Sequence, residues 1–153
     1  MLIKIETLVK SQKHLVLATC GQGLPHASLM AYCVAEATPR AGGEFWLATL
    51  RGTRKFANIM QNQRASLLLD DRSVAGEPSL ALTVEAECHP FGSTVAGSTV
   101  DEGAARAALG ARHPGLAGFL ALPEVAMLRF VPLRYQLLSG LTETFLWSPA
   151  ESA

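Results

Sequence analysis

Short apolar runs, each ended by turn-forming residues, constrain this chain more than any other feature. Residues 14–21 (HLVLATCG) form one run, 22–25 (QGLP) supply a turn, 26–36 (HASLMAYCVAE) form a second run, 38–43 (TPRAGG) turn again, and 44–49 (EFWLAT) make a third. Glycine and proline punctuate the chain because they supply the backbone angles that turns require. Connections this short make neighbouring strands antiparallel, since a parallel pair needs a crossover of about a dozen residues. Residues 64–71 (RASLLLDD) predict a fourth strand and 72–79 (RSVAGEPS) a loop. Residues 80–91 (LALTVEAECHPF) alternate, with Leu82, Val84, Ala86 and Cys88 on one face and Thr83, Glu85, Glu87 and His89 on the other. Residues 124–140 read as one or two closing strands with Pro132 at a bulge or edge, and 141–153 add an edge strand before the chain frays. The expected fold is mainly β with inserted helices. Six or seven antiparallel strands should close into a small barrel, because closure removes exposed strand edges.

Four helices fit between these strands. Ile3, Leu8 and Val9 suit a short amphipathic helix ending near Lys13. Thr53 is a good N-cap for a second, whose Phe56, Ile59 and Met60 share a face. Residues 97–115 hold an alanine-rich helix capped by Thr99 or Asp101, and 116–122 a short apolar one. The 153 residues fit a single domain, with residues 1–13 as its N-terminal helix and 148–153 as a flexible tail. Apolar residues make up 49% and charged residues 17%, which points to surface covered by a partner subunit or ligand. Thirteen basic and thirteen acidic residues cancel, so no general field draws the chain to nucleic acid or an anionic membrane. No apolar run approaches the roughly 20 residues that span a bilayer. Lys4, Glu6 and Lys10 interrupt what would be the core of a signal peptide. Cys20, Cys33 and Cys88 read as reduced thiols of a cytoplasmic protein, and the scattered His14, His26, His89 and His113 give no metal site.

The chemistry concentrates in residues 45–71 (FWLATLRGTRKFANIMQNQRASLLLDD). A strand ends at Thr49, Gly52 permits a tight turn, and a helix starts at Thr53. Arg51, Arg54 and Lys55 therefore lie where free backbone N–H groups and the positive end of the helix dipole also point. Cations in a first turn destabilise a helix unless an anion joins them, so the cluster points to phosphate or another dianion. It is not a P-loop, because the Gly-Lys-Ser/Thr ending is missing.

This stretch resembles the FMN-binding half-motif of the pyridoxamine 5'-phosphate oxidase-like split-barrel family. There an aromatic strand ends in threonine, Ser/Thr-Arg-Lys follows, and a helix leads into an N-x-R-x-S-L-L strand. Residues 17–34 (LATCGQGLPHASLMAYCV) resemble the preceding hairpin of the family, and 82–88 (LTVEAEC) the strand that follows. The resemblance implies a split β-barrel homodimer with one FMN in each of two clefts between subunits. By the same resemblance Arg54 and Lys55 bind the FMN phosphate, and Thr49 bonds the phosphate or ribityl chain. Ser28, Leu29, Met30 and Ala31 line the flavin, largely through backbone groups, while Ala48 packs beside Thr49. Thr53 is an N-cap first and a ligand contact second.

The departures bear on activity. Pyridoxamine phosphate oxidases proper carry an arginine where this chain has Ser28 and a lysine where it has Cys33, and Ala81 stands near the position of a flavin-contacting glutamine. Residues 104–125 (AARAALGARHPGLAGFLALPEV) lack the basic, aromatic substrate-binding run, and the tail FLWSPAESA lacks Arg-x-x-Pro. FMN binding is expected to survive these losses and vitamin B6 oxidation is not. The expectation is an FMN-dependent oxidoreductase acting on an unknown small molecule, with no catalytic side chain declaring itself. An electron carrier or flavin sensor without turnover is the alternative, or the same barrel holding deazaflavin or haem. Tyr32 and Tyr135 serve as acids only if they face the cleft, and His26 reads as structural. Trp147 either covers a flavin or caps an edge strand, and of Phe45 and Trp46 one is core and the other an interface or loop contact.

Overall fold

Alternation builds the first hairpin. In the computed structural model, which describes residues 1–35, 43–71, 79–95 and 97–149, β1 (His14–Gly21) sends Leu15, Leu17 and Thr19 inward. A two-residue turn then returns the chain as β2 (Leu24–Ala31), with Gly21 opposite Leu24. Gln22 (φ 54°) and Gly23 (φ 74°) are both left-handed, the turn geometry that matches the twist of paired strands. The second strand thus starts earlier than expected and takes in Pro25, which is tolerated because β2 is an edge. The strand also breaks at Tyr32, and only Cys33–Val34 resumes as β3.

The remaining strands are β4 (Phe45–Leu50), β5 (Arg64–Asp71), β6 (Leu80–His89), the two-residue β7 (Thr94–Val95) and β8 (Ser98–Thr99), β9 (Val125–Ser139) and β10 (Glu143–Trp147). The main sheet runs β2-β1-β5-β6-β9-β4-β3, with β10 also on β9, and every pairing is antiparallel. Since β2 and β3 are one segment broken at Tyr32, the sheet begins and ends on the same stretch of chain. It therefore curls on itself, closed at β3–β4 and parted between β2 and β4: a split barrel. The expected closing strands are the single β9. Its register slips between Glu85–Arg134 and Ala86–Pro132, a bulge beside Pro132. The extra residue changes phase, so Leu128 and Phe130 before it and Tyr135 and Leu137 after it all enter the barrel core. The β7–β8 hairpin had no counterpart in the sequence reading.

Two helices bury apolar faces in that core. Helix α1 (Leu2–Ser11) contributes Ile5, Leu8 and Val9. Helix α2 (Arg54–Gln61) contributes Ile59, and Asn58 Nδ2 donates to Thr19 Oγ1 at 3.1 Å. Asn62 instead turns back on its own strand, its Oδ1 accepting from Arg64 N at 3.1 Å. A Cβ on Gly21 would lie 2.1 Å from Asn58 Oδ1, so only glycine lets α2 approach this closely. A second apolar layer forms outside the barrel. Helix α3 (Glu102–Arg112), a 3₁₀ turn (Pro114–Leu116) and α4 (Ala117–Leu120) cover Cys33, Trp46, Ala48, Val125 and Met127. Asp101, one of the two expected caps, accepts from Ala104 N at 3.2 Å. Phe45 and Trp46 are both core residues, the first inside the barrel and the second beneath α3, because α3 covers the outer face that a lone sheet would expose.

Charges also hold the layers together. Glu44 and Arg129 form a bidentate pair at 2.7 and 2.8 Å, both nearly inaccessible. The remaining Arg129 N–H groups donate to Ser93 O (2.7 Å) and Ser98 O (3.1 Å), which anchors the β7–β8 hairpin. Arg112 Nη2 caps the end of α1 through Lys10 O (2.8 Å) and Gln12 O (2.7 Å). The expected turn at 38–43 is described only at Gly43. Most of the 72–79 loop and the end of the tail, 150–153, lie outside the described residues.

Candidate functional site

The parting between β2 and β4 makes a cleft. Its strand walls are Leu29, Met30 and Ala31 from β2 and Ala48, Thr49 and Leu50 from β4, with Thr53 and Lys55 at the start of α2. Leu109, Leu116 and Phe119, from α3 and the short helical turns after it, complete the wall. About 300 Å³ is enclosed, the lower end of the range for small-molecule sites. Strand β3 pairs β4 only at Cys33–Trp46 and Val34–Phe45. Beyond that junction the facing edges of β2 and β4 have no ladder partners among the described residues, so backbone N–H and C=O groups line the opening.

Of the residues singled out in the sequence, Leu29, Met30, Ala31, Ala48, Thr49, Thr53 and Lys55 meet in this cleft. Ser28 and Arg54 adjoin it without lining it. Ser28 shares the inward row of β2 with Met30, and its Oγ is buried without a hydrogen-bond partner. Arg54 is exposed at the first position of α2. Leu50, Leu109, Leu116 and Phe119 were missed, since an apolar residue on a helix face looks the same in sequence whether it meets a core or a ligand.

The start of α2 is short of negative charge. No acidic residue stands in its first turn, and neither Arg54 nor Lys55 has an ion-pair or hydrogen-bonding side-chain partner among the described residues. Thr53 Oγ1 caps the helix, accepting from Phe56 N at 3.4 Å and donating to Leu50 O at 2.8 Å. Thr49 Oγ1 lies 3.1 Å from Thr53 Oγ1, where either hydroxyl can donate, and 3.5 Å from Leu50 O. The N–H groups of Arg54 and Lys55 precede any intrahelical acceptor. Donors for an anion therefore come from two side-chain cations and two backbone amides. Arg51 does not join them: its Nη1 donates to Pro123 O at 2.8 Å.

Acid–base candidates fall away from the cleft. Tyr32 and Tyr135 are buried in the barrel, and desolvation raises both phenols well above their ordinary value. Tyr32 donates to Val9 O. Burial likewise pushes the Cys33 and Cys88 thiols up to about 11, which leaves them protonated and inert at neutral pH. His26 sits half-buried on the inward row of β2. Trp147 packs at a tilt of 48° against Tyr135, with ring centroids 5.5 Å apart. Among the described residues no group of three or more potential ligands could hold a metal, and no helix is long and apolar enough to cross a membrane.

A parted antiparallel barrel with a cleft along its split and cations at its mouth defines a class of proteins, and comparison with known sequences gives the family. The family model described as pyridoxamine 5'-phosphate oxidase matches residues 1–136, and the chain belongs to that family. A pyridoxamine 5'-phosphate oxidase homologue from Schizosaccharomyces pombe is 36% identical over 72 residues, covering 44% of this chain and 38% of that protein. The chain thus matches well under half the length of this relative. Among solved structures, a heme binding protein from Mycobacterium smegmatis superposes with a TM-score of 0.77 at 19% identity, over 95% of this chain and 56% of that one. The heme storage protein HutZ from Vibrio cholerae gives 0.66 at 18% identity, over 95% and 92%. An FAD-binding protein from Mesorhizobium loti gives 0.67 at 11% identity, over 90% and 93%. At these identities the structures show the shared fold.

Proposed function

We propose that this chain is an FMN-binding flavoprotein, an oxidoreductase acting on a small molecule other than pyridoxamine phosphate. One observation carries the reading: among the described residues, Arg54 and Lys55 lack side-chain partners at a helix start with no acidic residue, at the mouth of a cleft edged by strand backbone without ladder partners. A phosphate fits the cations and amides, and a planar ring system with a polar edge fits the strand edges. The buried, unpartnered Ser28 Oγ beside this wall adds a further polar atom for the ligand. Bound FMN would supply the electron transfer. The residues of the chain would anchor its phosphate (Arg54, Lys55), meet its ring edge (backbone of Leu29–Ala31) and shield it from water (Leu109, Leu116, Phe119). No described cleft side chain is an acid or base placed to move a proton, so substrate binding and orientation are what the protein adds.

Purified protein tests this directly. Flavin absorption bands with an FMN mass on denaturation would support it, and a haem or deazaflavin chromophore would overturn it. Haem is the second reading because two structural neighbours are described as haem proteins. FMN is preferred because the cations and free amides at the start of α2 suit a phosphate, which haem lacks, while the cleft lining offers haem iron only Met30 among its usual ligands. Reduction by a nicotinamide followed by reoxidation with screened acceptors separates an enzyme from a carrier. Pyridoxal phosphate formation should be absent or very weak, because Ser28 and Cys33 stand where cations bind phosphate and substrate in the oxidases proper.

The same reading includes a homodimer. Leu29 is 73% exposed and Leu68 43%, and Val16 lies between them in register, an apolar row across the outer face. Leu29 also lines the cleft, so a second copy on this row would roof the site. Light scattering should give about twice the chain mass, and a monomer that binds FMN tightly would sink the two-subunit cleft. The free thiols of Cys20, Cys33 and Cys88 suit a reducing, cytoplasmic setting.

A further inference from the structure

We infer that Arg51 is a positioning residue, a clasp that holds the helical wall of the cleft against its anion-binding turn. Arg51 follows β4 directly and opens the turn into α2. Its backbone N–H donates to Glu124 O at 3.0 Å and its Nη1 to Pro123 O at 2.8 Å. Arg106 of α3 holds the same stretch from the other side, with Nη1 on Leu120 O (2.7 Å) and Nη2 on Val125 O (3.1 Å). Four carbonyls between residues 120 and 125 thus take donors from outside the segment.

The segment needs them. Helix α4 is only four residues long, too short to hold itself, and Pro123 follows it. The Arg106 guanidinium, on Leu120 O, also meets the C-terminal end of α4. Leu116 and Phe119, just upstream, face the cleft. Arg106 fastens this wall to α3, whereas Arg51 fastens it to the turn carrying Thr53, Arg54 and Lys55. Arg51 therefore adds a link between the apolar wall and the anion end, next to the β4–β9 pairing at Leu50–Val125, although it does not line the cleft itself. The arginine looks in sequence like a third phosphate cation, and the structure assigns it other work.

The ligand arm of the test rests on the FMN reading; the exchange arm does not. Hydrogen exchange is followed residue by residue in wild type, Arg51→Ala, Arg51→Lys and Arg106→Ala. Arg51→Ala should speed exchange about tenfold over 116–125 while β1, β5 and β6 keep their protection. Arg51→Lys, which retains one donor, should restore part of it, and Arg106→Ala should loosen the same segment. Unchanged exchange at 116–125 in Arg51→Ala would overturn the clasp, whether or not the protein binds flavin. In the ligand arm, Arg51→Ala should weaken FMN about tenfold while the melting-temperature gain from inorganic phosphate stays at the wild-type value. Equal loss of FMN and phosphate binding would make Arg51 an anion ligand and overturn the inference. If wild type gains nothing from either probe, the FMN reading fails and the exchange result alone decides.

Discussion

Two arginine-bearing regions of this molecule differ in what surrounds them. Arg129 is wholly buried, and its guanidinium is met by Glu44, Ser93 and Ser98. Arg54, with Lys55 beside it, sits at a helix start and meets no side-chain partner among the described residues. The first arrangement is closed: every donor is answered within the chain, so the charge serves the fold. The second is open, and it is placed where the helix dipole makes positive charge unfavourable. The proposed phosphate would complete it. The satisfied charge belongs to the architecture, whereas the cluster beside the cleft is what the proposed ligand would answer.

The comparison breaks most visibly if the open cluster is removed. Arg54→Ala with Lys55→Ala should weaken FMN binding by about 3–6 kcal/mol, one charge-assisted bond for each cation. The apoprotein should melt no lower than wild type, since the repulsion from the dipole is relieved. Flavin fluorescence titrations of both apoproteins decide it, and equal affinities would mean that the cluster holds only solvent.

Removing the closed charge should do the reverse. Arg129→Ala takes the arginine from the buried Glu44 carboxylate, which keeps the Trp46 Nε1–H at 3.3 Å, and urea unfolding should show a loss of about 3–5 kcal/mol. Replacing the pair by Glu44→Gln with Arg129→Met should cost less than the single change, because no uncompensated charge remains. FMN affinity of the folded fraction should not move. A loss below about 1 kcal/mol in Arg129→Ala would mean that the pair contributes little and the contrast between the regions is false.

These regions were unequally legible in the sequence. The open cluster is local: Thr49 through Lys55 occupy one turn, and dipole and turn chemistry act within that span. Strand β5 emerged with its predicted bounds, and the bulge by Pro132 was anticipated, because period-two alternation and a missing N–H are local signals too. The closed pair was not legible. Glu44 and Arg129 are 85 residues apart, and either looks like an ordinary strand charge until β4 and β9 are paired. The same holds for Trp46, buried only because α3 returns over it, and for the split at Tyr32. Nothing in 26–36 marks where β2 leaves its neighbour. That point is set by Tyr32, whose N–H reaches Lys13 O at 3.4 Å and whose carbonyl meets the His113 ring at 2.9 Å.

Thr53 belongs to both regions and gives the smallest, most discriminating test. Its hydroxyl is answered within the chain, donating to Leu50 O and accepting from Phe56 N, yet it lines the open cleft. As a cap it resembles Asp101, which accepts from Ala104 N at the start of α3. Thr53→Ala and Asp101→Ala should therefore each lower apoprotein stability by about 1 kcal/mol, read from urea unfolding, and Thr53→Ser should lower it little. Ligand binding separates the two. With the Thr53 proton on Leu50 O and that of Thr49 on Thr53, one of the arrangements these distances allow, neither hydroxyl has a proton left for a phosphate without rearrangement. FMN affinity should then fall by no more than about threefold in Thr53→Ala, through a looser turn alone, and not at all in Asp101→Ala. A drop beyond about tenfold in Thr53→Ala, with Thr53→Ser restoring it, would show that the hydroxyl turns to the ligand when one is bound. Thr53 would then be a contact first and a cap second, and the boundary between the closed and open regions would run through its single proton.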